Sequence, residues 1–302
     1  MMSGQGLLAG RGAVVSGGSR GIGRAVVELL GELGAGVVVN GRDGDAVADT
    51  VAAVTASGGR AVAVVGSADD EAVAAALVDS CRDTFGRFDI LINCAGIAEP
   101  PGSSILEITP AEFDRLISAH VGTVFHTCRV AARAMVAQGH GTIVNTGSVA
   151  FLGDYGGTGY PAGKGAVNGL TVAIAAELKA TGVRANVVCP GARTRLSTGA
   201  EYERHIADLH RRGLLDDVTM QASLDSAPPR FVAPLYAYLA SDRARDVTGQ
   251  ILVAAGGFVG RFDRPVPSLL GYRDHHDSEP WSIEDLHTMI GAAKPHTHGN
   301  QP

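Results

Sequence analysis

The chain has 302 residues, 45% of them hydrophobic and 19% charged, with 41 glycines and a formal net charge of −6. These values suit a soluble globular α/β protein, and they exclude a disordered chain. With no long basic run, no 18-residue apolar stretch, and no basic-then-apolar leader in MMSGQGLLAGRGAVV, nucleic-acid binding, a membrane span and a signal peptide are not expected either.

Short β-branched runs alternate with longer helical patterns. The run AVVSG (13–17) precedes a helix in which Val26, Val27, Leu29, Leu30 and Leu33 share a face. GVVVN (36–40) precedes an alanine-rich helix over about 43–56, and AVAVV (61–65) one over about 69–85. DILIN (89–93) leads to a single long helix over 109–138. TIVNTG (142–147) leads to a helix opened by Tyr160, and RANVVCPG (184–191) and QILVAAGG (250–257) complete the set. Strict alternation predicts parallel pairing, because each crossover needs a connecting helix. The expected fold is α/β: a doubly wound sheet of about seven parallel strands, helices on both faces, in one domain over 8–260. Residues 261–302 lose the pattern and are expected to form a C-terminal extension. Its histidines (His275, His276, His287, His296, His298) lack a trustworthy metal spacing and are read as solvated surface, so no metal is expected. Cys81, Cys94, Cys128 and Cys189 form no CxxC and read as free thiols in a reducing, cytoplasmic setting.

SGGSRGIG (16–23) sits where the first strand turns into the first helix. Gly17, Gly21 and Gly23 permit a tight turn and close backbone approach to a pyrophosphate, and the helix N-terminus adds N–H donors. The spacing is GxxxGxG, so the GxGxxG fingerprint is only partly met, and a structural glycine turn is the competing reading. NCAG (93–96) follows the fourth strand, at the carboxyl edge where open α/β sheets bind ligands.

NTGSVA (145–150) puts Ser148 past a strand end on the same edge. Tyr160 follows, with Pro161 suited to a first helical turn and Lys164 one turn on, on the same face. Only three of the 25 cationic side chains are lysine, so chance alone places a lysine four after a given tyrosine about 1% of the time. A tyrosine is a poor proton donor or base at neutral pH unless a cation lowers its pKa, and a lysine also offers donors for ribose hydroxyls. The plain alternative is a half-buried structural tyrosine.

The SGGSRGIG turn, NCAG, Ser148, Tyr160-x-x-x-Lys164 and CPGART (189–194) together resemble the short-chain dehydrogenase/reductase family over about residues 8–260. The resemblance implies a Rossmann domain with no separate substrate domain, and direct hydride transfer between a nicotinamide and a carbonyl or alcohol carbon. It implies Tyr160 as general acid/base, Ser148 as holder of the substrate oxygen, and Lys164 as ribose ligand and modulator of Tyr160. The candidate cofactor residues become Gly17, Ser19, Arg20, Gly21, Ile22, Gly23, Arg42, Ser67, Asn93, Ala95, Gly96, Tyr160, Lys164, Pro190, Gly191 and Thr194. Many members carry asparagine where this chain has His120. His120 is a candidate catalytic residue through a water relay to Lys164, or else a packed core histidine. AHVGTVF and PGARTRL resemble the branch near the hydroxyacyl-CoA dehydrogenase part of peroxisomal multifunctional enzyme type 2. GSADD (66–70) departs from the usual Asp-Val at the adenine, leaving Ser67 or Asp69 to serve.

NAD selection needs an acid at the end of strand two. Here Gly41 holds that place, followed by Arg42, with Arg20 on the glycine turn. Two guanidinium groups suit a 2′-phosphate, so NADP is the expected cofactor, with NAD the alternative. Asp43 lies too late in the loop to argue for NAD. Residues 195–228 are expected to form a lid of one or two short helices. Leu196, Tyr202, Ile206, Leu209, Leu214, Leu215 and Met220 would give it an apolar wall, and Arg211-Arg212 would be solvated rather than phosphate-binding. The expected activity is that of an oxidoreductase on a bulky apolar ketone or alcohol: a 3-oxo/3-hydroxyacyl thioester, polyketide or steroid. The alternatives are an NAD-dependent hydroxyacyl-CoA or hydroxysteroid dehydrogenase, a polyol dehydrogenase, and a non-catalytic cofactor-binding sensor. The resemblance also implies a homo-oligomer, a tetramer or dimer.

Overall fold

The computed structural model describes residues 6–292. In chain order, β1 (Gly12–Ser16), α1 (Gly21–Glu32), β2 (Gly36–Gly41), α2 (Gly44–Ala56), β3 (Arg60–Val65) and α3 (Glu71–Phe85) form the first half. Then come β4 (Ile90–Asn93), α4 (Pro110–Ile117), α5 (Thr123–Gln138), β5 (Gly141–Thr146), α6 (Gly159–Glu177) and β6 (Val183–Gly191). The lid helices α7 (Ala200–Arg211) and α8 (Asp217–Leu224) precede α9 (Ala233–Ala240), β7 (Ile251–Ala255) and β8 (Phe258–Phe262). A last helix, α10 (Ile283–Ala292), lies in the extension.

The strands form one sheet in the order β3-β2-β1-β4-β5-β6-β7-β8, and β1 to β7 pair parallel. The order reverses between β1 and β4, which opens a crevice at their carboxyl ends. Burial follows the pleat. Ala13 and Val15 face one core with Val26, Val27 and Leu30 of α1 and Tyr236 of α9. Val14 faces the other, with Leu77 of α3, Cys128 and Met135 of α5 and Val167 of α6. Helix starts are locally encoded. Asp43 caps α2, Asp70 caps α3, and Thr109 with Glu112 forms a capping box ahead of Pro110.

Two differences from expectation have physical causes. The long helix over 109–138 contains a π-helical turn at Ser118–Gly122, where one extra residue per turn re-aims His120 inward. An eighth strand, β8, pairs antiparallel with β7 through the two-residue turn Gly256-Gly257. Its sequence, FVGRF, mixes glycine and arginine and so lacks the apolar run of a central strand. The sheet therefore extends to Phe262, and the chain divides into compact units at 1–262 and 263–302.

In the second unit, Arg273 stacks over Trp281 at 3.8 Å and bonds Asp285 of α10. Asp274, His275 and His276 bring potential ligand atoms within 4.8 Å of one another, all exposed, and Asp274 already accepts from the His276 N–H. His296 and His298 lie outside the described residues. No helix among the described residues is long and apolar enough to cross a membrane.

The amino edge of the sheet is held by Asp89, which is 3% exposed. Its carboxylate accepts from the Gly12 N–H at 2.9 Å, Arg87 Nε at 2.6 Å, Arg11 Nη1 at 3.2 Å and His140 Nε2 at 2.8 Å. Burial works to raise its pKa, but Arg87, the Gly12 N–H and His140 outweigh burial and hold it below the usual carboxylate value. A lowered folded-state pKa stabilises the fold above the unfolded carboxyl value and loses that contribution as pH falls through the folded one. Asp89→Ala should cost about 3 kcal/mol near neutral pH, since it leaves the buried Gly12 N–H and the Arg87 guanidinium without their acceptor, while Arg11 keeps Asp242. In urea melts, the gap between wild type and variant should hold steady above the ordinary aspartate pKa of about 4 and close below it.

Candidate active site

The glycine turn is built by close backbone approach. Gly17 has φ +68°, and a Cβ there would lie 2.5 Å from the Ala95 nitrogen, so the turn after β1 presses on the loop after β4. A Cβ on Gly23 would strike the Gly17 carbonyl oxygen, and one on Gly21 would meet the Thr194 methyl at 3.4 Å. Ile22 packs beneath the turn against Val232 and Ala192. Pro190 and Gly191 end β6 opposite Ala254 and Ala255. Gly17, Ala95, Gly21 and Thr194 thus line one crevice at the β1/β4 switch point, with the α1 N–H groups at its floor.

Asn93 serves differently from what the family likeness implies. Its side chain accepts from Ser16 Oγ at 2.8 Å and Thr127 Oγ1 at 3.0 Å, and donates to Asn145 Oδ1 at 2.9 Å. Asn145 then donates to Thr171 at 2.9 Å. This buried ladder ties β1, β4, β5, α5 and α6 together under the crevice. The side chain of Asn93, 2% exposed, is thus taken up inside the sheet beneath the loop after β4.

At the carboxyl end of β2, Ser19 fills the space beside Gly41, where a Cβ would lie 2.6 Å from Ser19 Oγ. An acid at position 41 would require Ser19 to move. Arg20 does not stand free: it pairs with Asp43 at 2.6 Å, and Asp43 also caps α2 through the Ala46 N–H. Arg42 is exposed, and its charge helps lower the Asp69 pKa. Ser67 hydrogen-bonds the same Asp69 carboxylate, which also accepts from Ser118 at 2.9 Å. Ser67 and Asp69 therefore form one unit that also touches the π turn.

The reactive set gathers on β5 and α6. Tyr160 is the second residue of α6. Ser148 caps the 3-10 turn at 149–152, its Oγ accepting from the Ala150 N–H at 3.2 Å, and it lies near enough to Tyr160 to favour the phenolate. Lys164, 4% exposed, donates to the Thr146 carbonyl at 2.8 Å, with its Nζ 5.6 Å from the Tyr160 ring centre. The expected lowering of the Tyr160 pKa is not what the structure gives. Burial pushes the phenol up, and Ser148 only partly opposes it. Burial also pushes Lys164 down, to about 8, so the amine remains mostly charged at neutral pH.

His120 packs edge-on to Tyr160, with ring centres 5.0 Å apart. Its Nε2 lies 3.1 Å from the Ile97 carbonyl, which can only accept, so Nε2 carries the proton and Nδ1 is left as an acceptor. Nδ1 is buried with no protein partner. A Cβ on Gly96 would meet the His120 ring at 2.8 Å, so glycine there makes room for the ring, and Lys164 Nζ lies 3.8 Å from the same point, at ordinary contact distance. Burial, and next the Lys164 charge, drive the His120 pKa down to about 3, against the Ile97 bond. The imidazole is neutral throughout the working range.

The lid holds together differently from the expected wall. Ile206, Leu209 and Leu215 are the lid's own core, packed with Tyr155, Tyr202 and Met220. Leu196 and Leu214 are exposed. Arg211 and Arg212 pair with Asp208 in solvent. His205 bonds the Tyr155 carbonyl at 3.0 Å, and the Tyr155 hydroxyl lies 3.4 Å from Ser223. Tyr155, which no motif marks, thereby docks α7 and α8 beside Tyr160.

The short chain dehydrogenase family profile matches residues 11–203. A 3alpha-hydroxysteroid dehydrogenase of Mediterraneibacter gnavus is 35% identical over 253 residues, covering 83% of this chain and 97% of that protein. A hydroxyacyl-CoA dehydrogenase of Mycobacterium tuberculosis is 36% identical over 263 residues, covering 82% and 78%. Among solved structures, a short chain dehydrogenase from Mycobacterium avium superposes with a TM-score of 0.79 at 31% identity, covering 96% of this chain and 98% of that one.

The neutral, buried His120 is directly testable by NMR. Its ring C–H resonances, identified by their loss in His120→Asn, should not move between about pH 5 and 8, whereas an exposed histidine titrates near 6.5. A titration midpoint in that window would contradict the burial described here.

Proposed function

The chain belongs to the short-chain dehydrogenase family, and from that premise we propose that it is an NADP(H)-dependent oxidoreductase interconverting a ketone and a secondary alcohol on a bulky apolar substrate. A 3-oxo/3-hydroxyacyl thioester, a polyketide or a steroid fits this description. The observation that carries the reading is the meeting of Ser148, Tyr160 and Lys164 at the carboxyl edge of the sheet, beside the loop that Gly96 packs against His120. The residues present suit a dinucleotide: glycine at 17 and 23 lets the turn pack backbone to backbone, which leaves the α1 N-terminus at the carboxyl edge of the sheet where a pyrophosphate would bind. When bound, it supplies the hydride donor or acceptor.

The chain's own residues handle the proton. In reduction the Tyr160 phenol gives its proton to the carbonyl oxygen as the carbon gains hydride; in oxidation the phenolate takes the hydroxyl proton as hydride leaves. Ser148 Oγ donates to the same oxygen and fixes it against Tyr160. One Lys164 N–H is committed to Thr146, and the ammonium's other donors suit ribose hydroxyls. Its charge also favours the phenolate as the proton leaves. His120, neutral, acts only as an acceptor through Nδ1, which suits a water passing protons between Lys164 and solvent. Ser67 and Asp69 suit the adenine amino group.

Arg42, Arg20 and the absence of room for an acid at Gly41 support NADP(H). The Arg20–Asp43 pair favours the second reading, an NAD-dependent hydroxyacyl-CoA or hydroxysteroid dehydrogenase, because it places a carboxylate at the same rim. The relatives named above act on those two substrate classes by their names, and His120 and the extension fit the hydroxyacyl-CoA branch. A cytoplasmic homo-oligomer, dimer or tetramer, completes the proposal.

Tyr160→Phe should lower kcat by roughly 10³-fold while shifting the cofactor Kd by less than about threefold. Substantial residual turnover would overturn the mechanism. Fluorescence titration should show tighter binding of NADPH than of NADH, with Arg42→Ala removing most of the difference. Preference for NADH in the wild type would bring the second reading forward.

A further inference from the structure

The N-terminus of α6 has no cap of its own. Thr158 makes no side-chain cap bond, and the first turn contains no acid. Its first N–H groups still need acceptors. All three that flank Tyr160 find them on one side chain, Glu99, in the loop after β4. Glu99 Oε1 accepts from the Thr158 and Gly159 N–H groups at 3.1 Å each, and Oε2 accepts from the Tyr160 N–H itself. Ser103 Oγ also donates to Oε1, at 2.6 Å. Oε1 thus takes three donors and Oε2 one, so most of the acceptor capacity of the carboxylate is used. Gly157, at φ +75°, leaves the necessary room, since a Cβ there would sit 2.9 Å from the Glu99 carboxyl carbon.

The same short loop acts on Tyr160 from a second side. Two residues before Glu99, the Ile97 carbonyl fixes the His120 ring, and that ring packs edge-on against the Tyr160 phenol. One stretch of three residues therefore grips Tyr160 by its backbone and supports its ring.

We propose that Glu99 is a positioning residue for Tyr160: its carboxylate clamps the start of α6 and sets where the phenol meets the substrate oxygen. This rests on the reading of Tyr160 as the proton-transfer group. A misplacement of about 1 Å in such a group costs on the order of 10²-fold in rate, so the clamp should govern kcat far more than binding. A plain helix cap would behave differently. Its loss would weaken the helix as a whole, and with it the Lys164 end of the cofactor site.

The test compares Glu99→Ala and Glu99→Gln with wild type and Tyr160→Phe. The probes are NADPH with a 3-oxoacyl-CoA and, in parallel, a 3-oxosteroid. Glutamine keeps one acceptor oxygen and should rescue part of the function. The expected result is a kcat loss of roughly 30- to 100-fold for alanine and a smaller loss for glutamine. KM and the NADPH Kd should stay within about threefold, while the Tm falls by a few degrees as the freed N–H groups lose their acceptor. Independently of any substrate, amide hydrogen exchange should quicken at residues 158–160 in Glu99→Ala, with residues 165–177 unaffected. Unchanged exchange at 158–160 would overturn the proposal, as would a kcat within twofold of wild type, or a parallel fall of kcat and NADPH affinity. If Tyr160→Phe keeps its activity, the assignment of Tyr160 fails instead, whatever Glu99 does.

Discussion

Lys164 carries its amine into the interior, where a cation that loses water must find other partners or give up its proton. Much of the site follows from how that demand is met. The Thr146 carbonyl at the end of β5 takes one N–H, and the Tyr160 ring offers its face. Around it, Gly96 makes room for the His120 ring, and Gly147 makes room for Asn168, one turn beyond Lys164 on α6. The ladder from Ser16 through Asn93 and Asn145 to Thr171 then fixes the strand ends against α6. A buried charge is tolerated because the surrounding polar groups are already oriented and need not reorganise.

Much of this was legible in the sequence. The alternation of β-branched runs with helical patterns reads as a parallel sheet, because the central strands are buried on both faces and each crossover is helical. Ser148, Tyr160 and Lys164 could be read because their relation is local: a strand end, a helix start and one turn of that helix. The glycine turn was readable for the same reason. What escaped notice depends on contacts distant in sequence. FVGRF pairs only at the sheet edge, where one neighbour is enough, so its composition is not that of a core strand. The side chain of Asn93 is taken up by partners on three other elements. The apolar side chains of 195–228 read as a wall by composition, but a small segment must first bury its own centre, and Ile206, Leu209 and Leu215 do that.

The π turn and the loop after β4 belong together. A regular helix through 109–138 would point a different side chain at Tyr160. The extra residue in the turn brings His120 in, and the Ile97 carbonyl then chooses its tautomer. No local pattern predicts this, since it needs the loop, the helix and α6 in place at once. The neutral ring that results is a packing element and an acceptor, and its low pKa records how completely it has been dried.

Asp43 holds two posts: it caps α2 and it pairs with Arg20. Any anion arriving at this corner therefore enters an exchange. It can draw Arg20 only by releasing a carboxylate that is already satisfied, and the released carboxylate stays nearby, held by the helix it caps. The net gain is the difference between two water-exposed ion pairs, which is smaller than either pair alone. Because added salt screens the pair that is lost as well as the pair that is gained, it should blunt discrimination at this rim less than it weakens attraction to it. The corner behaves as a built-in competitor, and it makes selectivity a matter of degree.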